Sequence, residues 1–177
     1  AWTTISTSVR TASTGASVTD VLAANDAVAA VTTPADEAGT YDSGATTIAL
    51  SGDSATVSGS GATVDGSTVT ITSSGTYVVS GSLSDGQIVV NADDADVRLV
   101  LAGASITNAD GPAIDVQDAG SAVMVLAEGT TNTLADGSSY ADTGEDAATA
   151  ALYSSDTLAI TGTGSLDVTG SYKDGIS

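Results

Sequence analysis

From Thr46 onward the chain alternates apolar and polar residues in short runs: TTIALSG, ATVSGSG, STVTITSSG, TYVVSG and QIVVN. Gly, Asp and Asn separate them. A period of two, bounded by turn residues, predicts strands with one buried face. The runs also repeat. Asp-Gly pairs begin at Asp65, Asp85, Asp110, Asp136 and Asp174, at spacings of 20, 25, 26 and 38. The last spacing equals 26 plus an insertion of 12 residues. Three units result, at residues 87–111, 112–137 and 150–175, with 138–149 inserted before the third. Their equivalent stretches read LVLAGASIT, MVLAEGTTNTL and LAITGTGSLDV.

A unit of this length, with three β-runs and no helix, cannot bury its apolar face alone; stacked on a neighbour, it can. The prediction is therefore an all-β fold: a right-handed parallel β-helix over residues 46–177, with coils of about 25 residues. Val, Ile and Leu would form inward ladders, and Gly, Asn and Asp would take the corners. An antiparallel β-sandwich has no reason to repeat such a unit.

Upstream, residues 1–45 form a separate segment. Residues 1–10 are β-prone, with Ile5, Thr7 and Val9 on one face. Residues 17–32 read as a short helix with Ser17 as N-cap and Val18, Val21, Leu22, Val28 and Ala29 on one side. Thr33-Pro34 is expected to end this helix, and a loop to follow over 35–44. The helix is placed to cap the first end of the stack. The far end has no evident cap, which offers a route to end-to-end stacking or strand exchange into a homo-oligomer or filament.

Charge narrows the functions. The 177 residues include 22 acidic and three basic ones (Arg10, Arg98 and Lys173), no His and no Cys, for a net charge of −19. Nucleic-acid backbones and anionic membranes find no basic surface here, and no apolar run is long enough for membrane insertion. Histidine triads and His or Cys metal sites are impossible. Aromatic residues are 3% of the chain, which suits a narrow stacked coil. The start at Ala1-Trp2, with a Thr/Ser/Asp-rich and Lys-poor composition, gives the expectation of a secreted or cell-surface protein.

The run from Ile48 to Ile114 (IALSGDSATVSGSGATVDG through ITNADGPAI), together with ALYSSDTLAITGTGSLDVTGSYKDGI, resembles bacterial secreted carbohydrate-binding domain proteins of the clostridial cellulose- and pectin-binding β-helix type. The resemblance covers about three quarters of the chain. It implies a pectate-lyase-like shape, binding of cellulose or acidic plant polysaccharide, bound calcium and no catalysis. The family usually runs on for further coils.

Residue types offer partners for both ligands. Calcium prefers oxygen donors, and stacked carboxylates repel until a divalent ion joins them. Candidate clusters are Asp93, Asp94 and Asp96 in NADDAD, and Asp142, Glu145 and Asp146 in the insertion. The ladder of Asp-Gly carboxylates is a third. A sugar surface is expected at Tyr140, Tyr153, Tyr172 and Asp174, where the insertion returns to the third unit. An acidic glycan would need a bridging cation on so negative a protein. A non-catalytic polysaccharide-binding role follows, with a structural filament subunit as the alternative. Lyase chemistry would need Arg or Lys near the metal, and Arg98 and Lys173 fall at different points of the repeat.

Overall fold

The computed structural model describes residues 32–177. The predicted arm at 1–10 and helix from Ser17 lie outside the described residues. The first element is a one-turn helix, α1 (Pro34–Ala38). Twelve strands follow: β1 (Thr46–Gly52), β2 (Ser54–Ser58), β3 (Ala62–Asp65), β4 (Thr68–Ile71), β5 (Gly75–Leu83), β6 (Gln87–Asn108), β7 (Ile114–Leu126), β8 (Thr131–Asp136), β9 (Ala150–Ser154), β10 (Leu158–Gly162), β11 (Ser165–Thr169) and β12 (Asp174–Ile176). All belong to one mixed sheet, whose main path runs β12-β9-β7-β6-β5-β1-β2 and does not close on itself.

The all-β expectation holds, but the right-handed parallel β-helix over residues 46–177 is corrected to an open sheet of mixed parallel and antiparallel strands. Residues 46–71 are two antiparallel hairpins, β1 with β2 and β3 with β4. The cause is local. Asp65 pairs with Thr68 across a two-residue turn, and Gly66 adopts φ +58, a backbone that reverses a strand tightly. Asp65-Gly66 therefore makes a hairpin, not a corner between parallel layers. Nor do three short runs fill each unit: β6 extends for 22 residues and β7 for 13. At NADDAD, β6 bulges rather than turns. Its register against β7 jumps from Ala92↔Ala119 to Asp96↔Ser121, and Asp94 takes φ +52.

The repeat does govern the parallel ladders. β6 and β7 pair one unit apart, Ile88 with Ile114 and Leu101 with Leu126. The third unit continues the pairing: Leu152 lies beside Ile114, Ile160 beside Met124 and Val168 beside Leu134. Side chains alternate across each strand. One face carries the main core, including Ile88, Leu99, Ile114, Met124, Leu152 and Ile160. The opposite face carries a second buried cluster of Val78, Val100, Val123, Val125, Ala127 and Ala159.

The α1 segment corrects a second expectation, because Thr33-Pro34 starts a helix within the predicted loop. Thr33 and Asp36 form a reciprocal capping box, with the Thr33 N–H donating to Asp36 Oδ2 at 2.8 Å. Pro34 suits the first turn, where its missing N–H costs nothing. Buried Asp36 also accepts from Arg98 Nε at 3.2 Å, pinning α1 to the outer face of β6. The Glu128 N–H donates to the Gly39 carbonyl, and Thr163 Oγ1 to that of Ala38. Gly39 has φ +72, and a Cβ there would lie 2.6 Å from the Leu126 carbonyl oxygen, so glycine is required.

Candidate functional site

The insertion between β8 and β9 folds back over the ladder. The Ala141 N–H donates to the Asp110 carbonyl at 2.8 Å. Tyr140 is buried, and its hydroxyl donates to Asp136 Oδ2 at 2.7 Å. Asp136, also buried, accepts the Ser171 N–H on its other oxygen. One carboxylate thus ties the insertion to the stretch before β12. The ring of Tyr140 stacks on Tyr172, with centroids 4.3 Å apart and planes 18° apart. Lys173 Nζ stands 5.0 Å from the Tyr172 ring centre, within cation–π range. Burial, then the Asp136 hydrogen bond and the charges of Asp136 and Asp115, raise the Tyr140 pKa well above its ordinary value, so this donor keeps its proton.

A pocket of about 250 Å³ opens between the insertion and the outer face of the ladder. Tyr140, Asp142 and Asp110 border it, with Gln87 and Asn108 from β6 and Asp115 and Gln117 from β7. Asp115 is buried and accepts from Gln117 Nε2 at 2.7 Å. Burial raises its pKa, against the opposing pull of that hydrogen bond. A buried carboxylate in a polar pocket is costly to the fold, which marks the place as a functional candidate. Sugar hydroxyls suit such a lining, since carboxylates accept and carboxamides both donate and accept.

Of the predicted sugar residues, Tyr140 and Tyr172 are brought together. Tyr153 sits on β9 as the register partner of Asp115, half-buried. Asp174 opens β12 opposite Ala150 and is exposed. The four do not form a flat aromatic row, because Tyr140 spends one face on Tyr172. Asp115 and Gln117 escaped the sequence reading, and Asp110 entered it only as part of the Asp-Gly ladder. Their signal was present: Asp115 and Gln117 stand two apart in PAIDVQD, on one face of a strand whose other face holds Ile114 and Val116.

The carboxylate clusters fare differently. Asp142, Glu145 and Asp146 are exposed, and Asp142 Oδ1 accepts the Gly144 N–H at 2.9 Å in a local turn. Asp96 turns away to accept from Ser121 Oγ at 2.6 Å. Asp93 and Asp94 instead gather with Asp118 and Asp156. Burial raises the Asp118 pKa, and the charges of those three aspartates raise it further. In the Asp-Gly ladder, Asp85 Oδ1 accepts the Ala109 N–H at 2.9 Å, as Asp136 accepts that of Ser171. These carboxylates bond to backbone one unit on instead of facing one another. Among the described residues, no group of three or more carboxylates is arranged to hold a metal ion. No described helix is long and apolar enough to cross a membrane.

A second, larger cavity of about 340 Å³ lies beside α1, lined by Arg98, Asp36, Tyr41 and Thr76 among others. Its guanidinium is engaged by Asp36, which is the one buried polar residue among the cavity's lining residues.

Comparison with known proteins places the chain in a family. Residues 65–177 match the family described as "Carbohydrate-binding domain-containing protein". A protein of that description from Acetivibrio thermocellus is 35% identical over 105 residues, which are 58% of this chain and 37% of the relative. The chain thus spans little more than a third of that relative's length. A solved structure described as the polysaccharide lyase-like protein from C. thermocellum, in a gadolinium derivative, superposes with a TM-score of 0.71 at 32% identity. The match covers 75% of this chain and 55% of that one. By the extent of its match, the chain belongs to the family of carbohydrate-binding domain-containing proteins.

Proposed function

We propose that the protein is a non-catalytic polysaccharide-binding module of an extracellular protein, and that its glycan site is the pocket between the 138–149 insertion and the Asp115–Gln117 face of β7. The observation that carries this reading is buried Asp115, held by Gln117 at the floor of a polar pocket. Family membership supplies the ligand class. The non-catalytic part rests on charge placement. Arg98 and Lys173 are the two cations among the described residues, and neither lines the pocket. Eliminating a uronate needs a cation to neutralise the carboxylate while a proton is abstracted.

Retention on insoluble cellulose and on polygalacturonate, each with calcium and with EDTA, tests the binding. Retention by at least one polysaccharide is expected, and loss in EDTA would show a cation bridge to an acidic glycan. No retention in any condition overturns the reading. Release of reducing or unsaturated sugars by the purified protein would overturn its non-catalytic part.

A further inference from the structure

We propose that the 138–149 insertion is a proton-controlled lid, which lies closed on the pocket while Asp115 carries a proton and loosens as Asp115 ionises. The attachments of the insertion leave it room to move. It meets the body near its two ends, where the Tyr140 hydroxyl donates to Asp136, the Ala141 N–H to the Asp110 carbonyl and the Asp174 N–H to the Thr149 carbonyl. Between those ends the described hydrogen bonds are internal, from the Gly144 N–H to Asp142 Oδ1 and from the Ala147 N–H to the Gly144 carbonyl. Residues 141–146 are exposed, and no helix or strand forms between β8 and β9. A segment with so few bonds to the body opens locally at small cost.

Beneath the lid sits Asp115, 8% exposed, with Gln117 Nε2 as its hydrogen-bond donor. The elements packed around it bring only neutral or negative groups. β6 contributes the register partner Val89 and the carboxamide of Gln87, and β9 contributes Tyr153. The turn between β6 and β7 contributes Asp110, and the insertion contributes Tyr140 and Asp142, with Asp136 behind the Tyr140 hydroxyl. No cation among the described residues lines the pocket. A carboxylate closed in this way loses water and gains no countercharge. Burial accordingly raises the Asp115 pKa in the closed form, against the opposing pull of the Gln117 bond. A group whose pKa is raised by closure stabilises the closed form fully below its open-form pKa. That contribution is lost as pH rises through the closed-form value. The pocket is therefore shielded in acid and accessible toward neutrality, whichever ligand it takes.

Hydrogen exchange on the full chain, with no ligand added, is the test. The Ala141 N–H reports the lid, and the Ala127 N–H, bonded to the Leu101 carbonyl, reports the ladder. Protection at Ala141, corrected for the intrinsic exchange rate, is expected to fall between about pH 4 and pH 7, by at most about tenfold per pH unit, the limit for one proton. Protection at Ala127 should stay level. Asp115→Asn should hold Ala141 at its acid level across the range. Gln117→Ala, at an exposed position, removes the bond that opposes the raised pKa and should move the fall to higher pH; it decides the matter if Asp115→Asn does not fold. Level protection at Ala141 in the wild type overturns the proposal. So does a fall that persists in Asp115→Asn, that stays in place in Gln117→Ala or that Ala127 shares. Polysaccharide retention is measured separately, so the binding reading stands or falls on its own.

Discussion

Tyr140→Phe isolates the bond that holds the insertion in place. The ring survives the change, so its stack on Tyr172, at 4.3 Å between centroids, is kept. What is lost is the hydroxyl that donates to Asp136 Oδ2 at 2.7 Å. A hydrogen bond to a charged group contributes about 1.5–3 kcal/mol net. Asp136 is buried, so water cannot easily replace the donor, and its remaining partner is the Ser171 N–H. A loss of about 2 kcal/mol is expected. At about 2–4 °C per kcal/mol for a chain of this size, Tm falls by roughly 4–8 °C.

Urea unfolding at pH 7 reads the loss as a lower midpoint with an unchanged m-value, since the buried area stays the same. Tyr140→Ala, which also removes the stack and the buried ring, should cost about 3–5 kcal/mol. The pH dependence adds a sign. The Tyr140 pKa is raised in the folded state. Its contribution is therefore complete below the ordinary tyrosine pKa of about 10 and is lost as pH rises through the folded value. The gap between wild type and Tyr140→Phe should stay flat from pH 6 to pH 9 and narrow only above about pH 10. A Phe variant as stable as wild type, or a gap that closes below pH 9, refutes the Tyr140–Asp136 tie.

Asp115→Asn should raise Tm at pH 7, because Asp115 has a raised pKa in the folded state. A raised value means its stability contribution is complete below the unfolded pKa and lost as pH climbs through the folded one; thermal scans should show the advantage vanish near pH 3, and a destabilised variant at pH 7 would contradict the burial argument. Asp94→Asn keeps a residue that tolerates φ +52 while removing one charge beside Asp118. It should raise Tm in low salt, with the gain gone near 1 M salt, where the Debye length is ~3 Å; a gain that ignores salt would show that charge is not its source.

Much of the fold was legible because apolar periodicity and repeat length are properties of the chain itself. Ile88 and Ile114 stand at equivalent positions of two units, and they pair in register. The placement of Tyr140 near Tyr172 was also legible, since the insertion must return to the unit that follows it. What could not be read was which face each corner residue would use. NADDAD looked like a turn with three free carboxylates. In the sheet it is a bulge that sends Asp96 to Ser121 and leaves Asp93 and Asp94 beside Asp118 and Asp156. In the ladder Asp118 pairs with Asn91, and the register slips between Ala92 and Asp96, so counting along the repeat does not bring Asp93 and Asp94 to Asp118; the bulge does.

The Asp-Gly pairs show why a turn signal alone underdetermines structure. At Asp65 the pair closes a hairpin, with Gly66 at φ +58 and Thr68 back in register. At Asp85 and Asp136 the same dipeptide leads onward, and each carboxylate caps a backbone N–H one unit further along. Gly86 and Gly137 have no positive φ. They are needed for closeness instead, because a Cβ at either would strike the backbone of Ser67 or Ala109. The difference lies in what the next run can bury. TVTI, after Asp65, is four residues long and packs back on ATVD as a hairpin. QIVVN, after Asp85, opens a strand whose apolar residues match a partner one unit away, and it goes forward to meet it. Burial of the following strand decides the turn, and the dipeptide only permits it.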